Sequence, residues 1–144
     1  MLIGRTAKKF NTYACIGDRL LAMVGPLTVE ARIQPDNDYN IDDDDSHNID
    51  QKVTGCDDEQ QRQLIAARHD WFRGDWRYCG IVLSVKLDEM IIDDYLAAIW
   101  GIELNYPGGD NSHLTEIANE LLAERLKEIE GLPAALSSRL VGSM

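Results

Sequence analysis

Apolar and polar residues alternate from Leu27 to Ile33, so that Leu27, Val29, Ala31 and Ile33 share one side and Thr28, Glu30 and Arg32 the other. That is the period of a strand with one buried face. Leu20 to Val24 precede it across Gly25-Pro26, and residues 18–33 therefore predict a β-hairpin. Tyr13 to Ile16 suggests a short extra strand before Gly17-Asp18. Pro35 ends the second strand because it has no amide to give the ladder.

A helix is predicted next, with Asp57 as N-cap and Gln60 three residues on. Leu64, Ala67, Trp71 and Phe72 fall on one face, while Arg62, Arg68 and Asp70 can face water. Gly74 closes it. A second hairpin follows. In Tyr78 to Leu87, the residues Cys79, Ile81, Leu83, Val85 and Leu87 share a face. In Tyr95 to Leu104, Leu96, Ala98, Trp100, Ile102 and Leu104 do so, and six or seven residues around Asp88-Glu89 and Asp93-Asp94 connect the two strands. The last helix has Ser112 or Asn111 as N-cap. Its stripe is Leu114, Ile117, Ala118, Leu121, Leu122, Leu126 and Ile129, and Gly131 and Pro133 stop it. The tail, 134–144, has no clear period. The order is β-β-loop-α-β-β-α, predicting an α+β fold: an antiparallel sheet of about four strands with two helices packed on one face.

At 144 residues the chain reads as one domain. An acidic, exposed loop is expected over residues 34–56. Between Gln34 and Glu59 ten acidic residues stand against Lys52 alone, so this stretch carries most of the net charge of −11. No apolar run is long enough for a membrane span. The start of the chain lacks the apolar centre of a signal peptide, which predicts a cytoplasmic protein. Cys15, Cys56 and Cys79 form no CxxC pair and are expected as free thiols.

The search for chemistry nominates no catalytic set. An EF-hand loop counted from Asp36 fails at its sixth position, Ile41, and at its twelfth, His47. His47, His69 and His113 stand at no zinc-ligand spacing. Ser46-His47 beside Asp45 has the residue types of a nucleophile and base, but neighbours in an extended loop point apart. There is no GxSxG, P-loop or GxGxxG. Pro107-Gly108-Gly109 could present amides to an anion, but Asp110 stands in the mouth. No catalytic residue, metal or cofactor is therefore expected. Direct nucleic-acid binding is disfavoured because Asp70 and Asp75 interrupt Arg62, Arg68, Arg73 and Arg77. The alternative reading of both features is that these arginines pair with the acidic loop within the molecule, or in a homodimer.

A dense row of carboxylates suits a basic groove on another protein, where it can take the places of phosphates. The expected contact residues are Asp36, Asp38, Tyr39, Asp42, Asp43, Asp44, Asp45, Asp50, Asp57, Asp58 and Glu59. Exposed Tyr39 and Ile41, with Trp76, would supply the less polar anchors.

Tyr13-Ala14-Cys15, Asp42-Asp43-Asp44-Asp45-Ser46-His47-Asn48, Trp76-Arg77-Tyr78-Cys79-Gly80, Trp100-Gly101-Ile102-Glu103 and the helix after Asp110-Asn111-Ser112 together carry a resemblance. The chain resembles a group of small acidic proteins encoded by bacteriophages and prophages, over about residues 10–124. The resemblance implies a bacterial cytoplasm as setting and brings no activity, cofactor or catalytic residue. The function expected is a phage-encoded, non-enzymatic inhibitor of a host defence complex, of anti-CRISPR or anti-restriction type, acting on its basic nucleic-acid-binding surface. The alternative is a structural or regulatory phage protein working as a homodimer or interaction module.

Overall fold

The first hairpin forms where the alternation places it, with β1 at Arg19–Val24 and β2 at Leu27–Pro35. Val24 pairs with Leu27 across Gly25, whose φ of +58° meets the tight turn at no steric cost. The computed structural model of the protein describes residues 8–47 and 58–142. Within it, β3 spans Arg77–Leu87 and β4 spans Met90–Leu104, and the four strands make one antiparallel sheet in sequence order. Two helices, α1 at Asp58–Phe72 and α2 at Ser112–Gly142, complete an α+β fold. Asp57, the expected N-cap of α1, lies outside the described residues. Residues 13–16 form no strand.

One face of the sheet is apolar and α2 covers it. Val29, Ile33, Ile81, Leu83 and Leu104 pack there with Leu114, Ala118, Leu121, Leu122 and Ile129 of the helix. These helix residues follow the expected stripe. Burying each large side chain contributes about 1.5–3 kcal/mol, which is what seats the helix. Asn111 starts it as a buried hub. Its side-chain NH₂ donates to the carbonyls of Asn11 and Thr12 and to Asn105 Oδ1, and its Oδ1 accepts from the Asn105 amide.

Four details differ from the pattern. First, α2 continues past Gly131 and Pro133 to Gly142. Proline there forgoes one backbone bond without ending the helix. Second, the second hairpin turns in only two residues, because Asp88 takes φ +52° and Leu87 pairs directly with Met90. Third, bulges break the alternation of β4. The register passes from Cys79↔Ile102 to Ile81↔Ile99, so one extra β4 residue lies opposite Gly80. Trp100 is thereby turned away from Ile102 and laid over Gly80, where a Cβ would collide with its ring.

The fourth difference concerns α1, which does not share the face of α2. Trp71 of α1 packs with Ile41, Trp76 and Tyr78 in a second, smaller cluster. Tyr78 points away from Cys79 and Ile81 because consecutive strand residues alternate. α1 thus meets the Tyr78 end of β3 and not the face that α2 covers. Further along the same side as Tyr78, Glu30 is buried between Lys86 (2.7 Å) and Arg19 (2.9 Å). Burial raises the Glu30 carboxyl, but hydrogen bonds and charge from Lys86 and Arg19 outweigh it and leave its pKa below the ordinary value.

Candidate functional site

As far as the described residues run, to His47, the acidic stretch is folded, starting with Asp36. Its Oδ2 accepts from the Gly101 amide at 2.9 Å and its Oδ1 from the Tyr39 amide at 3.2 Å. Asn40 then opens a 3-10 turn over Ile41–Asp43 with a capping box. Asn40 Oδ1 accepts from the Asp42 amide and Asp43 Oδ2 from the Asn40 amide. A second 3-10 turn, Asp45–His47, follows at once. Asp44 sits at the joint, its Oδ1 accepting from the Ser46 amide and hydroxyl and its Oδ2 from the Tyr78 hydroxyl at 2.8 Å. Burial raises the Asp44 carboxyl, yet the bonds from Ser46 and Tyr78 and the nearby His47 bring its pKa below the ordinary value.

What pins these turns is the small cluster beneath them. Ile41 is fully buried against Trp76 and Tyr78, and Trp76 donates its indole N–H to the Ala67 carbonyl of α1 at 2.8 Å. His47, only 3% exposed, stacks its ring near Trp76 and Tyr106. Its Nε2 lies 2.7 Å from Glu103 Oε2 on β4. The sequence reading therefore needs correction in three places. Ile41 and Trp76 are core residues, not exposed anchors, and Tyr39 is half-buried. Residues 41–47 form two 3-10 turns and no extended loop, while 48–56 of the expected loop lie outside the described residues. His47, read as standing alone, meets two carboxylates.

Those two are Asp44 and Glu103, whose donor atoms lie with that of His47 within 4.8 Å of one another. Such a set could in principle hold a divalent cation. The hydrogen bonding favours another use. Glu103 engages the ring at Nε2, and Nδ1 is buried with no hydrogen-bond partner. A metal on Nε2 would shift the proton to Nδ1, where a buried N–H would lack an acceptor. The arrangement thus serves to hold His47, and through it the second 3-10 turn, against β4.

Of the expected contact residues, Asp38, Asp42, Asp43 and Asp45 are exposed along the turns, and Asp36 and Asp44 are half-buried and committed to internal bonds. Arg68 of α1 pairs with Asp42, as the intramolecular alternative anticipates for the arginines. Arg73 instead bridges Asp70 and Asp75. Asp58 and Glu59 are exposed in the first turn of α1, nine or ten residues before Arg68, which is roughly 15 Å along the helix axis. They extend the acidic surface at a distance and do not adjoin the turns. Asp50 and Asp57 lie outside the described residues. Cys15 is exposed and Cys79 buried, both as free thiols, while Cys56 lies outside the described residues. Burial pushes the Cys79 thiol up to about 12, aided by Asp36, so it stays protonated and inert.

Glu103, Tyr78, Tyr106 and Trp76 are the parts of the site that the sequence does not reveal as a unit. Their signal is the crowding of aromatic residues around the start of β3, but nothing local says that the acidic stretch folds back onto them. Comparison with protein-family models, curated proteins and solved structures finds no match. No described helix is long and apolar enough to cross a membrane.

Proposed function

We propose that the chain is a non-enzymatic protein that binds a basic, nucleic-acid-binding surface of another protein through the acidic ridge. One observation carries this reading: Asp38, Asp42, Asp43 and Asp45 project from backbone that capping bonds, Ile41 and His47 hold in place. Fixed carboxylates bind with less ordering cost than those of a mobile loop. Among the described residues, Arg68 is the ion-pair partner given to this ridge, and it answers only Asp42. Negative charge in such density speeds encounter with an arginine-rich groove and weakens with salt. The resemblance to phage-encoded acidic proteins supports a host defence complex, of CRISPR or restriction type, as the partner, and the bacterial cytoplasm as the setting.

The test is replacement of Asp38, Asp42, Asp43 and Asp45 by Asn, with folding checked by circular dichroism. Wild-type protein should retain nucleic-acid-binding proteins from a bacterial lysate at low salt, release them at high salt, and lose them to competing duplex DNA. The variant should retain none. Equal retention by both proteins would end the proposal.

A second reading has its own support. Leu21, Met23, Tyr95 and Trp100 are exposed on the sheet, a surface on which a second copy could pack. A dimer mass at micromolar concentration, reduced to a monomer by Trp100→Ser, would favour that reading.

A further inference from the structure

Binding hot spots pair a projecting side chain with a pocket that desolvates it. Ile41, Trp76 and Tyr78 beneath the ridge are buried and cannot serve as projecting anchors, but a pocket opens beside them. Between the end of α1 and the start of β3 lies a cleft of about 300 Å³, lined by Asp36, Asn37, Tyr39, Trp71, Arg77 and Tyr78 among others. That volume is at the small end for a ligand site and suits a single side chain. Tyr39 and Trp71 both neighbour Tyr78, with ring centroids 4.6 and 6.3 Å from it. The cleft is therefore walled by aromatic rings and opens beside the ridge.

Its electrostatics select the occupant. Tyr39 is held above its ordinary pKa by burial and then by Asp44, Asp43, Asp45 and Asp36. Those four carboxylates set a negative potential at the cleft wall. Arg77, which also lines the cleft, is the opposing charge, and its guanidinium is engaged in donating to Asn37 Oδ1 at 3.0 Å. An anionic ligand would meet the carboxylates, whereas a cation would meet both negative potential and ring faces.

The geometry points to this cleft as the socket for one arginine side chain of the basic partner, an inference that rests on the acidic-ridge reading above. Arginine fits better than lysine because its guanidinium is flat, less strongly hydrated and stacks on aromatic rings. The ridge would attract the partner, and the socket would fix its register.

The experiment titrates the full chain with oligoarginine and oligolysine peptides of equal length, followed by intrinsic tryptophan fluorescence and by calorimetry. Wild-type protein should bind oligoarginine roughly tenfold more tightly than oligolysine. Trp71→Leu should bring the two affinities together while leaving salt-dependent binding to both, and Trp71→Phe should keep most of the preference. Tyr39→Leu serves as a second probe should Trp71→Leu fail to fold. Equal affinity of wild-type protein for the two peptides, or a preference unchanged in the folded Leu variants, would overturn the socket and leave the ridge standing. Binding of neither peptide would overturn both.

Discussion

The two sides of the sheet are built on different principles. Under α2 lies a broad apolar core, in which Ile33, Ile81, Leu83, Leu114 and Leu122 are interchangeable in kind. Across the sheet, the cluster of Ile41, Trp76 and Tyr78 is small, and directional bonds complete it. There the Tyr78 hydroxyl holds Asp44, the Trp76 indole holds α1, and Glu103 holds His47. A broad core tolerates imprecision and supplies stability. A small polar-bonded cluster supplies position, which is what a presented row of carboxylates needs.

The comparison breaks most visibly on the broad side. Leu122→Ala should cost about 2–5 kcal/mol, the usual price of a buried leucine. Urea denaturation measures it directly, and a loss under about 1 kcal/mol would mean that α2 is not the main cover. On the narrow side, Tyr78→Phe deletes a single oxygen from a fully buried residue. It leaves Asp44 short of a donor, so the expected loss is about 1.5–3 kcal/mol. A value near zero would show that Asp44 finds another partner and that the turns are not positioned by the sheet.

The difference between the sides also explains what the sequence made legible. Periodicity reports which side chains of one element share a face, so β1, β2 and the stripe of α2 are readable from Leu27 to Ile33 and from Leu114 to Ile129. It does not report which face a helix reaches, and α1 docks through Trp71 at Tyr78 instead of joining α2 over the broad core. A bulge is likewise silent in the pattern, since Gly101 at φ +73° reverses Trp100 without disturbing the apolar count. The acidic residues were visible as a group. Their division into structural Asp36 and Asp44 and exposed Asp38 and Asp45 depends on contacts with Gly101 and Tyr78, which lie 65 and 34 residues away along the chain.

Acid should act through the polar-bonded groups. Glu30 and Asp44 both have pKa values below their ordinary ones of 4.5 and 3.8. A depressed folded-state pKa means that the unfolded chain binds protons first as pH falls. Their contribution is present in full above the ordinary carboxylate range and is lost as pH drops through the folded values. Urea midpoints should therefore fall on acidification below about pH 4.5, and Glu30→Gln should flatten that fall. An unchanged profile in Glu30→Gln would mean that Arg19 and Lys86 do not stabilise the charged carboxylate.

The smallest expected effect on stability is the one that bears most on function. Asp38 and Asp45 are exposed on the ridge, so replacing both by Asn should change stability by no more than about 0.5 kcal/mol. A slight gain is the expected sign, because neighbouring like charges repel in the folded state. The same double variant should weaken binding to a basic peptide at low salt and lose part of its salt dependence. The two measurements together separate carboxylates that hold the turns from carboxylates that the turns hold out. A destabilisation above about 1 kcal/mol would exceed what exposed surface substitutions produce. It would place Asp38 and Asp45 with Asp36 and Asp44 as groups the fold consumes, and the ridge would then have little left to offer a partner.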